Sequence, residues 1–320
     1  MTISRISKTL FFSALIFCGF TYQNLSAQAT QSLTFLLNGP SAAHLGMNET
    51  TTSTPVNGLD VYVNPGLLTE FDQRLANVNY TLWIGETYVS SASFVYPRER
   101  DAFSVAVMSN NTGEIEAYDQ PGEPSGTFNY DYLAISGAYA YNFNYFSLGA
   151  SASYLNEQTI NQSASGYGVN VGAYTDFLNQ KIRTGVSMNN LGEMNDLFEQ
   201  PSELPWHIRG GFSADIVSLN APGFNSLPLK FIVAADVIHQ LDELDDNREV
   251  VLSNNSVLTN LTVSLGDVIN LSGGYRFDDS ARSWSAGLQV NQRDFTFDFA
   301  FIPFESGFSN AYSIGASYGF

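Results

Sequence analysis

From Arg74 to the end of the chain, apolar side chains recur at every second position in segments of about ten residues, separated by turn formers. The run opens with "RLANVNYTLWI" (74–84), "TYVSSASFVYP" (87–97), "DAFSVAVMSN" (101–110), "YDYLAISGAYAYN" (130–142) and "YFSLGASASYLNE" (145–157). It continues with "GYGVNVGAYTDF" (166–177), "KIRTGVSMN" (181–189), "WHIRGGFSADI" (206–216), "LKFIVAADVIH" (229–239) and "SVLTNLTVSLG" (256–266). It closes with "VINLSGGYRFD" (268–278), "RSWSAGLQVN" (282–291), "DFTFDFAFIP" (294–303) and "NAYSIGASYGF" (310–320). A period of two predicts strands whose faces meet different surroundings. There are 14 segments, an even number, as a closed antiparallel bacterial barrel requires.

The two faces differ in kind. One carries Val78, Tyr80 and Leu82; Phe103, Val105 and Val107; Leu133, Ile135, Tyr139 and Tyr141; Phe146, Leu148 and Tyr154; Trp206, Ile208 and Phe212; and Phe295, Phe297, Phe299 and Phe301, with no charge among them. The other is Ser, Gly, Asn and Thr, with Arg183, His207, Arg209, Asp215, Asp236, Arg276 and Asp298. A soluble β-sandwich also alternates, but its outer face would be rich in Lys and Glu. The pattern therefore predicts an all-β, 14-stranded antiparallel transmembrane outer-membrane β-barrel, with the aromatic face on lipid and the polar face on the lumen. Connections support this: "RER", "FN", "LNQ", "D" and "QR" are tight and fall on one rim, whereas those after the third, fifth, seventh and ninth segments are long. Parity places the N-terminal segment and Phe320 on the short-turn, periplasmic rim.

Composition sharpens the picture. Only 14% of the 320 residues are charged, against roughly 25% in ordinary soluble domains. The mean hydropathy of -0.06 is nevertheless neutral, as interleaving demands. Residues 1–27 read as a secretory signal peptide: Arg5 and Lys8, an apolar run from Leu10 to Phe20, then Leu25-Ser26-Ala27 as the cleavage site. That run is shorter than the roughly 20 residues of a spanning helix. Cleavage there removes Cys18, the sole cysteine, and with it disulfide and thiolate chemistry. A net charge of -18 argues against nucleic acid as a partner.

Candidate chemistry is sparse. His44, His207 and His239 have no metal-like neighbours at ligand spacing, so no catalytic residue, metal site or cofactor is assigned and no enzyme activity is expected. The lumen charges read as ion pairs that stiffen the barrel, or alternatively as a weakly selective lining. Acidic residues crowd three expected outer loops: Glu114, Glu116, Asp119 and Glu123; Glu193, Asp196, Glu199 and Glu203; and Asp242, Glu243, Asp245, Asp246 and Glu249. They serve either solubility or docking of a protein partner or Ca2+, although no twelve-residue calcium loop is present.

Residues 28–73 lack strand periodicity, and turn formers cluster at Asn38-Gly39-Pro40, Asn57-Gly58 and Asn64-Pro65-Gly66. Leu36, Leu37, Leu45, Met47, Val61, Tyr62, Val63, Leu67 and Leu68 make the segment too apolar for disorder, so it is expected to be a plug inside a barrel spanning 74–320. Here "GPSAAHLGM" and "VYVNPGLL" resemble the N-terminal signature of the PorV/PorQ family of type IX secretion, closer to PorQ, within the FadL-like barrel superfamily. Gly66 stands where the family usually has Ala. The plug-motif residues on which the resemblance rests are Gly39, Leu45, Gly46, Met47, Asn64, Pro65 and Gly66. The resemblance implies a component of protein secretion and cell-surface attachment. Its partners would be outer-membrane lipid, secretion or attachment proteins, and secreted cargo. The alternative is a FadL-like passive transporter of hydrophobic small molecules, which requires an apolar pocket beneath the outer loops. A general porin would instead conduct ions. The final strand ends on Tyr318 and Phe320, which read as an aromatic outer-membrane assembly signal.

Overall fold

A computed structural model describes residues 33–118, 120, 122–159, 162–195, 204–220, 227–244, 250–277, 279, 281–305, 307 and 309–320. The expected signal peptide, with Cys18, lies outside the described residues, as do Asp119, Asp196, Glu199, Glu203, Asp245, Asp246 and Glu249.

The alternating segments form β1 (Leu75–Leu82), β2 (Tyr88–Pro97), β3 (Asp101–Asn111), the short pair β4 (Ile115–Ala117) and β5 (Gly126–Phe128), β6 (Tyr130–Asn142), β7 (Ser147–Thr159) and β8 (Gln162–Phe177). They continue as β9 (Ile182–Met194), β10 (His207–Asn220), β11 (Pro228–Leu244), β12 (Val250–Leu265), β13 (Ile269–Arg276), β14 (Trp284–Gln292), β15 (Phe295–Ile302) and β16 (Ala311–Gly319). All but β4 and β5 join one closed antiparallel barrel of 14 strands. It closes where β16 meets β1, in register from Leu75 opposite Gly319 to Leu82 opposite Tyr312. Closure leaves no unpaired edge, the condition for crossing a bilayer with strands.

The face assigned to lipid is the exposed one: Val78, Leu82, Phe103, Val105, Ile135, Phe297 and Phe299 all project outward, Val105 being 60% exposed. The polar face is buried, because the interior is filled by residues 33–70. These form a 3-10 turn at Thr34–Leu37, one helix, α1 (Ala42–Gly46), and 3-10 turns at Gly58–Tyr62 and Pro65–Glu70.

Three expectations about connections need correction. The connection after β7 is tight, because β7 and β8 pair as far as Thr159 opposite Gln162, extending strands the periodicity ends earlier. The acidic run from Gln240 is largely strand: Asp242 and Glu243 lie in β11, which pairs with β12 up to Leu244 opposite Val250. Glu193 sits in β9, and Glu116 in the β4–β5 hairpin outside the barrel wall. Outside the bilayer nothing compels alternation, so polar sequence continues the ladder unannounced. The wall is therefore uneven, with 17 residues in β11 and 16 in β8 and β12 but only 8 in β1, β13 and β15.

Tight turns on the other rim use left-handed backbone. Gly266 and Asp267, between β12 and β13, have φ of 59° and 55°, the two positive values a type I′ hairpin needs.

Candidate functional site

The plug builds itself from capped short turns. Ser41 caps α1, its Oγ accepting from His44 N at 3.5 Å. Asn57 Oδ1 accepts from Leu59 N at 2.9 Å and Asn64 Oδ1 from Gly66 N at 3.0 Å, with Pro65 at the first position of its turn. Each cap satisfies N–H groups that so short a helix leaves without partners.

An irregular segment in a lumen must also find donors for its carbonyls. The wall supplies them from the Ser and Asn of its polar face. Ser91 donates to Pro40 O (2.7 Å), Ser104 to Gly58 O (3.1 Å), Ser151 to Val61 O (2.8 Å) and Ser272 to Gly46 O (2.9 Å). Asn189 Nδ2 reaches the carbonyls of both Tyr62 and Val63. In return, Asn64 Nδ2 donates to Ala173 O at 3.0 Å and to Thr52 O at 2.7 Å. Glycines in the wall let the two backbones approach: a Cβ on Gly185 would lie 2.0 Å from Thr52 O, and one on Gly149 2.3 Å from Pro65 O. Gly46 of the plug meets Gly287 of β14 in the same way, and Leu45 beside it packs on Ala300, Ile302 and Ala311. Gly39 N donates to Glu49 Oε1, and the Met47 amide closes α1 on Ala43 O.

The charged residues of the polar face do not form one ladder across the strands. Arg183 pairs with Asp215 at 2.8 Å near the periplasmic rim. Arg209 Nη2 donates to Glu49 O (2.5 Å) and to Asp236 (3.4 Å), while Asp236 also accepts from Thr52 N and Oγ1. Arg276 pairs with Glu49 Oε2 at 2.5 Å, and Arg282, which the pattern does not single out, with Glu49 Oε1 at 3.0 Å. Asp298 accepts from Gln289, and His207 Nδ1 lies 3.0 Å from Pro205 O. Wall charge is thus spent mainly on the plug. Burial alone would raise the Glu49 carboxyl, but Arg282 and Arg276 outweigh it and hold it down at about 2. Its signal in the sequence is that Glu49 and Asp60 are the only acidic residues between Phe35 and Leu68.

Asp60 belongs to a second buried cluster. Ser41 Oγ lies 2.6 Å from His44 Nδ1, and His44 Nε2 lies 2.9 Å from Asp60 Oδ1. The order of groups is that of a hydrolytic relay. All three side chains are wholly buried, however, and Ser41 is committed to capping α1. The cluster ties the two halves of the plug together, and burial pushes the Asp60 carboxyl up despite the bond from His44.

Apolar lumen positions form two clusters, a small one at Ala300, Ile302 and Ala311 and a larger one that runs from Val95, Ala102 and Ala140 near the periplasmic rim toward the outer rim. Met108, Ala134, Leu155, Ala164, Met194 and Leu204, in the outer half of β3, β6, β7, β8 and β9 and before β10, form one cluster with Leu33, Phe35 and Leu36 of the plug. On the periplasmic side a cavity of about 350 Å³ opens beneath α1, its lining divided between polar groups such as Asn260, Thr262 and Gln289 and apolar ones such as Met47, Ile232 and Phe299. Among the described residues no group of three or more His, Cys, Asp or Glu is placed to hold a metal ion.

Glu114, Glu116, Glu123 and Glu193 are exposed on the outer rim, and Tyr167 donates to Glu193 at 3.0 Å. At the opposite rim Phe320 is 53% exposed, its N–H donates to Arg74 O, and its ring lies 5.5 Å from that of Tyr318 and 6.0 Å from that of Phe94.

No protein-family model matches the chain, and no curated protein matches it in sequence. Solved structures do. The Pseudomonas putida toluene transporter TodX superposes with a TM-score of 0.61 at 10% identity, over 88% of this chain and 98% of TodX. A Pseudomonas aeruginosa FadL homologue gives 0.55 at 11% identity, over 87% of this chain and 98% of its own. At such identity the likeness is one of fold. The chain is accordingly an outer-membrane β-barrel of the bacterial cell, with the fold of FadL-type barrels.

Proposed function

We propose that the protein is a FadL-like passive transporter, admitting small hydrophobic molecules across the outer membrane without a chemical step. The observation that carries this reading is the apolar cluster beneath the outer loops. In a lumen rich in Ser, Asn and Thr, Met108, Leu155, Met194 and Leu204 lie on one side at the outer end and belong to the same apolar cluster as Leu33, Phe35 and Leu36. A hydrophobic solute gains by leaving water there, at about 25 cal/mol per Å² of apolar surface buried. The plug's own apolar turn stands in the place of that solute. The shared fold with a toluene transporter supports the same reading.

The test is uptake. Cells lacking the gene should take up toluene, as a first probe, more slowly than cells complemented with it. Met108→Asp and Leu155→Asp should complement poorly while still assembling in the outer membrane. Equal uptake with and without the gene would sink the proposal.

A second reading, in secretion and surface attachment, keeps support from the plug motif. The residues resembling the PorV/PorQ signature, Gly39 to Met47 and Asn64 to Gly66, are those that seat the plug. On this reading the lumen stays shut and the acidic outer rim meets a secretion protein or cargo. Copurification of the tagged protein from its own membranes tests it, and recovery of neither would count against it.

A further inference from the structure

Two consecutive plug residues, Asn48 and Glu49, hold left-handed backbone, with φ of 53° and 61°. Neither is glycine, so the turn stores strain and persists only while its surroundings impose it. The surroundings are three arginines from three parts of the wall. Arg209 of β10 binds the Glu49 carbonyl, and Arg276 of β13 and Arg282 of the following connection grip its carboxylate. Glu49 is 2% exposed. Asn48 is pressed against the wall, where a Cβ on Gly274 would lie 2.4 Å from its own.

We propose that the Asn48–Glu49 turn is a charge-held latch, whose release from Arg209, Arg276 and Arg282 unseats the plug and opens the lumen. Two forces favour opening once the carboxylate is lost. Arg276 loses the carboxylate it pairs with and Arg282 keeps only the more distant Asp279, at 3.9 Å, in surroundings where water screens little. The strained turn is also free to relax to ordinary right-handed backbone. At the far end of the plug the described contacts are of another kind: Thr69 and Ser147 share a neutral hydroxyl contact of 2.6 Å, and Glu70 hydrogen-bonds Tyr174 with no arginine pair on its carboxylate among the described ion pairs. The latch is therefore the ionic anchor that decides between seated and unseated.

The experiment uses the purified full chain in planar bilayers. Wild type should be nearly silent, and Glu49→Gln should raise the fraction of time spent conducting at least tenfold. Heat-modifiable mobility on a gel reports whether each variant forms its barrel. Thr54→Cys with Ser213→Cys provides a pin, since the two hydroxyl oxygens now lie 3.3 Å apart across the plug–wall boundary. Added to Glu49→Gln, the oxidised pin should restore silence, and reduction should return the conductance. If Glu49→Gln does not form a barrel, Arg282→Gln, which leaves Arg276 on Glu49, should still give a smaller rise. A folded Glu49→Gln barrel as silent as wild type, or a conductance indifferent to the pin, overturns the latch. The inference rests on a lumen that opens, but ion conductance does not depend on any transported solute. Failure of the latch and failure of hydrophobic uptake are thus separate results.

Discussion

Asn64 does the work of three residues. Its side chain caps the turn that follows, donates to Thr52 O within the plug and donates to Ala173 O in the wall. Asn64→Ala leaves two buried carbonyls without these donors, at a cost of about 1–3 kcal/mol each. The expected result is a plug cut by protease at least tenfold faster, in a barrel that still shows heat-modifiable mobility. Glu70, at the periplasmic end of the plug, makes the seat sensitive to pH. Burial first, and then the neighbouring Asp176 carboxylate, raise its carboxyl to about 7. Its protonated form is favoured in the seated plug, so its contribution is complete below the ordinary value of about 4.5 and is lost as pH rises through about 7. Protease protection of the plug should therefore be greater at pH 5.5 than at pH 8.5, and Glu70→Gln should flatten the difference. Glu49 has the opposite sign, its contribution being lost only as pH falls through about 2, so the latch is constant across that range.

At the scale of elements, the plug and wall fit because the wall strands give up side chains where the plug passes. Gly185→Val would drive a Cβ into Thr52 O and Gly287→Val another into Gly46. Either should expel the plug while leaving strand pairing intact, since the added side chain points into the lumen and the backbone N–H and C=O groups of the ladder are unchanged. Bilayer conductance with unchanged heat-modifiable mobility is the expected result. The outer face has the reverse sensitivity. Val105→Arg places a charge in the apolar band at a cost of about 2–4 kcal/mol near the bilayer midplane, and less near either interface. It should lower the urea midpoint of the folded barrel in lipid without opening the plug. Phe320 stands between these cases. Its ring joins an aromatic cluster with Tyr318 and Phe94, while β16 pairs with β1 through its own backbone. An assembly signal at Phe320 would affect insertion rate more than final stability, and deletion of Phe320 with a folding time course in cells would separate the two.

For the whole molecule, a barrel of 14 strands encloses a lumen that residues 33–70 occupy, apart from the cavity beneath α1. Removing that segment should convert a near-silent protein into an ion-conducting pore. Bilayer recordings of the deletion variant check this, and persistent silence would mean that the outer loops close the lumen by themselves. The long strands β8, β11 and β12 raise the wall on one side of the outer rim, next to the apolar cluster of β7, β8 and β9. On the proposed transporter reading, a solute arriving from outside would meet this raised side first.

Much of this was legible along the chain, because a bilayer imposes a binary rule on every strand: apolar toward lipid, polar toward the lumen. The period of two from Arg74 onward therefore determines the strand number, the lipid face and the rim on which Phe320 lies. The apolar, aperiodic stretch around Leu45, Val61 and Leu67 likewise requires burial before its location is known. What only the tertiary structure decided is which groups meet. Glu49 and Arg276 are partners across 227 positions of sequence, and no local pattern links them. Arg282 opens the alternating segment 282–291, where the period of two puts it on the side of Trp284, but it precedes β14 and turns to Glu49 instead. Met108, Leu155 and Met194 are each unremarkable on their own strands, and become one apolar surface only when pairing through β6 and β8 aligns β3, β7 and β9 and the sheet curls around the plug. Local periodicity reports the solvent each side chain faces, whereas the plug's contacts depend on closure of the sheet.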